Sequence, residues 1–173
     1  MPQKYKRLTW DDVDRLIDTL LPQLEAVGPF QAMVMITRGG VIPGGLLAEA
    51  LDIQHLLTAA VDFPSTEKGS MMAWPKFLQF PNDDLLQGRR TLVIDDVWGS
   101  GRTSMAVRER VHKAGAQVYS CVLHFNPYRD LFSKTKPDYY GEATDAYVVY
   151  PWEIDRGGYN IGEFDPALDP EIN

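Results

Sequence analysis

Short apolar runs alternate along this chain with stretches of helical period, and that alternation restricts the fold more than any other feature. Val13, Leu16, Ile17, Leu20, Leu21 and Leu24 lie on one stripe of a 3.6-residue period. Thr9, followed three residues later by Asp12, opens that helix as a capping box with Asp in the Glu position, and Gly28-Pro29 closes it. Ala32–Ile36 reads as a first strand that ends in Thr37-Arg38-Gly39-Gly40, and Pro43 opens a second helix carrying Leu46, Leu47 and Leu51. His55–Val61, Thr91–Asp95, Val118–Leu123 and Ala146–Val149 read as four more strands. Thr103–Ala114 reads as a helix with Val107 and Val111 on one face, closed by Gly115. The pattern predicts an α/β fold: an open, twisted, mainly parallel five-stranded sheet flanked by crossover helices.

A length of 173 residues suits a single domain spanning 1–173, long enough to bury about 70% of its extended surface. With 17 Lys+Arg against 24 Asp+Glu the net charge is −7. Binding nucleic acid through a general field needs a basic surface, so that class is excluded. A small polyanion would need a local device: backbone N–H groups, a few placed Arg, or a bound cation. Cys121 is the single cysteine, so no internal disulfide forms. No apolar run approaches the roughly 20 residues that span a bilayer, and no apolar stretch follows the basic start at Lys4, Lys6 and Arg7. A cytoplasmic protein with no membrane partner is expected.

Asp62–Arg90 has no clear period and contains Pro64, Gly69, Pro75, Pro81 and Gly88. Loops above about 12–15 residues are uncommon in compact domains. Residues 62–90 are expected to form a mobile cover over a site, with Trp74 and Lys76 as candidates to reach the ligand; an insertion with a short hairpin of its own is the alternative. Residues from Asp155 to Asn173 are rich in Asp, Gly and Pro and read as surface.

The chemistry concentrates in Ile94-Asp95-Asp96-Val97-Trp98-Gly99-Ser100-Gly101-Arg102-Thr103. A strand ends in two carboxylates, and a Gly/Ser loop then enters a helix. Gly99 and Gly101 allow positive φ, so successive N–H groups can aim at one point, and the helix adds the positive end of its dipole. Ser100, Thr103 and Ser104 add hydroxyls. Such a cradle binds phosphate without net positive charge. Paired acids beside it make electrostatic sense if they accept from vicinal sugar hydroxyls or see a cation such as Mg²⁺; solvated aspartates at a plain turn are the bland reading. No Gly-Lys-Ser/Thr occurs, so this is not a P-loop, and the third Gly of a dinucleotide fingerprint is missing. Cys121 and His124 lie three residues apart on a strand, on opposite faces, which argues against a metal pair. Arg89 and Arg90 read as surface caps of the third strand. Trp98 could pack on ligand or beneath the loop.

This segment resembles the phosphoribosyl-pyrophosphate (PRPP) signature of type I phosphoribosyltransferases. Thr37-Arg38-Gly39-Gly40-Val41-Ile42-Pro43-Gly44-Gly45-Leu46-Leu47-Ala48 resembles the pyrophosphate loop and first helix of the bacterial xanthine–guanine (6-oxopurine) enzymes. Asp62–Arg90 stands in the place of the family's flexible catalytic loop, and Tyr147-Val148-Val149-Tyr150-Pro151-Trp152-Glu153 resembles the base-binding hood, within a C-terminal region of about residues 125–173.

The resemblance implies a Mg²⁺-dependent transfer from PRPP to a purine-like base, giving a nucleoside monophosphate and pyrophosphate. Asp95, Asp96 and Arg38 would be catalytic, with Asp95 and Asp96 on the ribose diol or the metal. Val97, Trp98, Gly99, Ser100, Gly101, Arg102 and Thr103 would hold the 5′-phosphate. Arg38 with the Gly39 and Gly40 amides would hold the pyrophosphate, the Thr37–Arg38 peptide being cis. Asn126, Tyr147, Val148 and Glu153 would form the base site, and the assembly would be a homodimer or homotetramer. Two departures stand out. Gly99 replaces the acid that faces purine N7 in related enzymes, and Asn126 replaces the Lys that donates to the 6-oxo group; Tyr147 in place of Trp is milder. They leave open an unusual acceptor, weak transfer, or a PRPP- or nucleotide-binding regulatory protein.

Overall fold

Thr9 accepts from the Asp12 amide while Asp12 accepts from the Thr9 amide, and on this capping box the first helix begins. The computed structural model describes residues 4–64, 74–129 and 135–155. Its elements are β1 (Tyr5–Arg7), α1 (Trp10–Glu25), β2 (Ala32–Ile36), α2 (Val41–Ala50), β3 (His55–Asp62) and β4 (Lys76–Gln79). A 3-10 turn at Asp83–Leu85 leads to β5 (Arg90–Trp98), α3 (Arg102–Lys113), β6 (Gln117–Phe125), β7 (Tyr139–Ala143), β8 (Tyr147–Val149) and α4 (Pro151–Asp155).

The main sheet is ordered β4-β3-β2-β5-β6-β7, parallel throughout except for the antiparallel edge strand β4. Alternating side chains face opposite layers, as strand geometry requires. Met33, Met35, Leu92, Ile94, Cys121 and Leu123 pack under α1 and α2, while Val34, Ile36 and Val93 pack against Val107 and Val111 of α3. The layered α/β architecture is the expected one.

Three differences are local. The sheet has six strands, two of them, β4 and β7, beyond those the sequence suggests: β4 is four residues between Pro75 and Pro81, and β7 carries Gly141 and Glu142 with none of its five positions buried, so neither shows an apolar run. The anticipated fifth strand exists as β8 but leaves the main sheet, pairing in parallel with β1 as Tyr5↔Tyr147, Lys6↔Val148 and Arg7↔Val149. Helix α2 starts at Val41, ahead of Pro43, which the first helical turn tolerates because no intrahelical donor is needed there.

Within Asp62–Arg90 the described residues form the end of a β3–β4 hairpin and the 3-10 turn, with Leu86 buried against the α3 layer. Lys76 pairs opposite Asp62 in that hairpin, and Trp74 is 88% exposed. Residues 65–73 of the anticipated cover, and 156–173 of the anticipated surface tail, lie outside the described residues.

Candidate active site at the switch between β2 and β5

Chain order reverses between β2 and β5: one connection runs from β2 outward to β3, the other from β5 outward to β6. A crevice opens at the carboxyl ends of two such strands, the usual ligand position in an open parallel sheet. β2 stops pairing with β5 at Met35↔Ile94, whereas β5 pairs with β6 as far as Trp98↔Phe125. Asp95 and Asp96 therefore occupy the stretch where β5 has lost its β2 neighbour.

Both acids are tethered by the chain itself. Asp95 Oδ1 accepts from the Asp96 amide at 3.0 Å and Asp96 Oδ1 from the Val97 amide at 2.7 Å; Ser104 Oγ lies 3.4 Å from Asp95 Oδ2. No cationic side chain forms a salt bridge with either acid among the described residues. Burial, reinforced by Asp96, pushes the Asp95 carboxyl well above the carboxylate range. Burial lifts Asp96 to about 6; the Val97 amide opposes the rise and the charge of Glu153 adds to it. Two desolvated neighbouring carboxylates favour a proton, a cation or donor hydroxyls between them.

The loop after β2 meets them. A Cβ on Gly39 would lie 2.5 Å from both Asp96 carboxylate oxygens, and one on Gly40 would run into the Ile94 carbonyl. Glycine at these positions lets two strand ends approach closely. The Thr37–Arg38 peptide is cis, as anticipated, and Arg38 is exposed, one residue before the Gly39 that meets Asp96. The Gly40 amide donates to Ile36 O at 2.8 Å, so in this conformation it closes the turn.

On the other side, Gly101 caps α3 at φ 74°. The first intrahelical bond runs from the Met105 amide to Gly101 O at 2.9 Å, so the amides of Arg102, Thr103 and Ser104 precede it, at the positive end of a 12-residue helix. The Arg102 guanidinium sits 4.3 Å over the Phe63 ring. Trp98 is fully buried against Val122, Phe125 and Met105, so its indole lies beneath the loop.

A pocket adjoins the acids, lined by Asp96, Val97, Gly99, Asn126, Arg129, Ala146, Tyr147, Val148, Tyr150 and Glu153. Asn126 is buried, and its Oδ1 accepts from the Tyr128 amide at 3.1 Å, which orients the other end of the amide as a donor. Nothing lies within 4 Å of where a Gly99 side chain would start. Tyr147 packs edge-on against Tyr5 at 5.6 Å. Glu153 Oε2 accepts from the Tyr150 amide at 2.8 Å, capping α4.

Residues 9–151 match the phosphoribosyl transferase domain family. The chain belongs to that family. It is 32% identical over 86% of its length to 84% of the xanthine-guanine phosphoribosyltransferase of Gluconobacter oxydans. Its structure resembles that of the purine phosphoribosyltransferase of Pyrococcus horikoshii at a TM-score of 0.74 and 32% identity, covering 86% of this chain and 93% of that one. A Neisseria gonorrhoeae protein solved with bound ppGpp matches at a TM-score of 0.76 and 24% identity, covering 99% of both chains, a likeness of fold.

In this phosphoribosyl transferase domain the structure brings the anticipated residues into two adjoining groups. Gly39 meets Asp96, next to Asp95, with Arg38 preceding Gly39 on the same loop and Gly101–Thr103 at the head of α3. Asn126, Tyr147, Val148 and Glu153 share the neighbouring pocket with Gly99. Tyr150, Ala146 and Arg129 line that pocket without having been singled out. Tyr150-Pro151-Trp152-Glu153 carries a signal that marks one of them: Pro at the first helical position and Glu at the third make Tyr150 a helix cap. His124 is fully buried and hydrogen-bonded to Tyr150, while Cys121 belongs to the α1 layer; the two do not converge on a metal. Arg90 is more than a surface cap. Its guanidinium donates to Val27 O and Gly28 O and lies 5.4 Å over the Tyr119 ring.

Proposed function

We propose that this phosphoribosyl transferase catalyses Mg²⁺-dependent transfer of the phosphoribosyl group of PRPP to a purine-like base. The observation that carries the reading is the junction itself: twin half-buried acids, a glycine loop and a helix head on one side, and the Asn126–Tyr147 pocket on the other, with Asp96 common to both. Names borne by relatives, xanthine-guanine and purine phosphoribosyltransferase, support a purine as acceptor.

In this reading the amides and hydroxyls of Ser100–Ser104 hold the 5′-phosphate, while Asp95 and Asp96 orient the ribose diol. Arg38 and the Gly39 amide hold the pyrophosphate. The bond from ribose C1 to the pyrophosphate oxygen breaks, its electron pair leaves on pyrophosphate, and a base nitrogen forms the new bond to C1. Mg²⁺ would neutralise charge gathering on the pyrophosphate. The chain fits it: Asp95 and Asp96 offer hard oxygen ligands, and Mg²⁺ characteristically takes one or two carboxylates and fills its shell from phosphates and water. Tyr147 offers the base a flat face, the Asn126 amide donates to its oxo group, and Arg129 adds charge at the rim.

Exposed Val41 and Leu46 on α2 and Leu56 on β3 support self-association as a dimer or tetramer, checked by sedimentation. A reducing, cytoplasmic setting accords with the buried free thiol of Cys121. Among the described residues no helix is long and apolar enough to cross a membrane.

Incubation with PRPP, Mg²⁺ and a panel of bases, following pyrophosphate and nucleotide, tests the proposal: release with a purine supports it. The bare Gly99 position favours one other reading, a PRPP- or nucleotide-binding regulator. Tight PRPP or nucleotide binding without pyrophosphate release from any base would select that reading.

A further inference from the structure

Tyr150 is the point where the two halves of the site are tied together. Its hydroxyl donates to the Asp96 carbonyl at 2.8 Å and lies 2.9 Å from His124 Nδ1. A tyrosine hydroxyl has one proton to give. Since Asp96 O takes it, His124 must donate from Nδ1, and in the neutral ring Nε2 is then left bare. That Nε2 is buried with no hydrogen-bond partner, 3.8 Å from Glu142 Oε2. An orphaned nitrogen in a core is costly. Its retention points to a duty at the other end of the ring.

The rest of Tyr150 is clamped. Its ring stacks on Trp152 at 4.5 Å and 6°, meets the His124 ring edge-on at 5.7 Å, and is 1% exposed; its amide is held by Glu153. It sits three residues beyond Tyr147, on the segment that walls the base pocket, and its hydroxyl grips the strand that carries the acids. Beyond Ile94 that strand has no β2 neighbour to fix it.

We propose that the Tyr150 hydroxyl, oriented by His124, is a positioning residue that sets the Asp95–Asp96 strand end against the acceptor wall. It acts through its hydroxyl on the Asp96 carbonyl, although Tyr150 also lines the base pocket, and it rests on the transferase reading above.

The test uses the full chain. Tyr150→Phe keeps the ring stack and removes only the hydroxyl. The expected result is a fall of about tenfold in kcat/KM for PRPP, with KM for the base changed less than twofold. His124→Phe should give part of that fall, and the double variant no more than Tyr150→Phe alone, since one chain of hydrogen bonds is broken once. Unchanged PRPP kinetics in Tyr150→Phe, or losses that multiply in the double variant, would overturn the proposal. If the wild-type protein turns over no base, the transferase reading fails by itself, and the proposal is then read from PRPP affinity by calorimetry, where the same tenfold loss is expected and no loss refutes it. Should Tyr150→Phe not fold, the ¹⁵N imidazole spectrum of the wild-type protein decides. A Nδ1–H tautomer at His124 is required, and a Nε2–H tautomer refutes the relay.

Discussion

Replacing Asp96 by Asn should strengthen the ligand-free fold while disabling the site. The Asp96 carboxyl titrates near 6 in the folded protein against 3.8 as its ordinary value, chiefly because burial disfavours its charge. A folded-state value raised in this way contributes stability that is present below about pH 4 and is lost as pH rises through 6. Two units correspond to about 3 kcal/mol at pH 7.5, and because the side chain borders an open crevice, solvent screening brings the usable part to about 1–2 kcal/mol. Asn keeps an oxygen for the Val97 amide, so the local turn should survive. The variant should gain about 2–8 °C in melting temperature at pH 7.5, and the gain should vanish near pH 4. The assay is urea and thermal unfolding of both proteins at the two pH values, in chelator. Adding Mg²⁺ and PRPP should then stabilise the wild-type protein far more than the variant. Equal stability at pH 7.5, or a gain that does not depend on pH, would refute the account of these acids as desolvated and waiting for a partner.

Gly39→Ala would place a methyl 2.5 Å from both Asp96 carboxylate oxygens; KM for PRPP should rise at least tenfold by the order of effect that a misplaced group has on such sites, with far-UV circular dichroism unchanged. Asn126→Lys should improve use of guanine or hypoxanthine in initial-rate assays, whereas Arg129→Ala should raise KM for the base several-fold and leave PRPP affinity alone. His124 titrates near 4, depressed mainly by burial, so it binds its proton more readily when unfolded. Wild-type stability should therefore fall between pH 6.5 and 4 by up to about 3 kcal/mol from this group, opposite in sign to Asp96, and a His124→Phe variant should show a flatter acid limb in urea titrations.

The parts of the molecule legible in the sequence are those whose signal is local. The stripe from Val13 to Leu24 with its Thr9–Asp12 box, the β-branched run before Asp95, and the Gly99–Gly101 loop each announce themselves within a dozen residues. What escaped depends on partners far along the chain. Tyr5–Arg7 is too short and too charged to read as a strand, and becomes one because β8, 142 positions later in register, supplies its hydrogen bonds. Lys76–Gln79 is a strand because β3 lies beside it. Nothing local to Tyr150 beyond its helix-cap position singles it out, and the role proposed for it depends on a carbonyl 54 residues earlier and an imidazole 26 residues earlier. Trp98 was ambiguous because alternation along β5 alone does not tell which layer lies under the loop.

The pairing of β1 with β8 has a consequence for how the protein comes into being. Parallel pairs between distant segments form late, since loop closure must precede any gain from contact. The crevice proposed for the sugar phosphate draws on Gly39, Asp95, Asp96 and the head of α3, and can close as soon as β2, β5 and α3 have collapsed together. The wall proposed to face the nucleobase needs the beginning and the end of the described chain to meet, with Lys4 O accepting from the Tyr147 amide and the Leu8 amide donating to Val149 O. A growing polypeptide would thus possess its donor half well before its acceptor half, and the crevice proposed for an activated sugar would stand without the wall that decides the sugar's fate until Tyr5–Arg7 had paired with Tyr147–Val149.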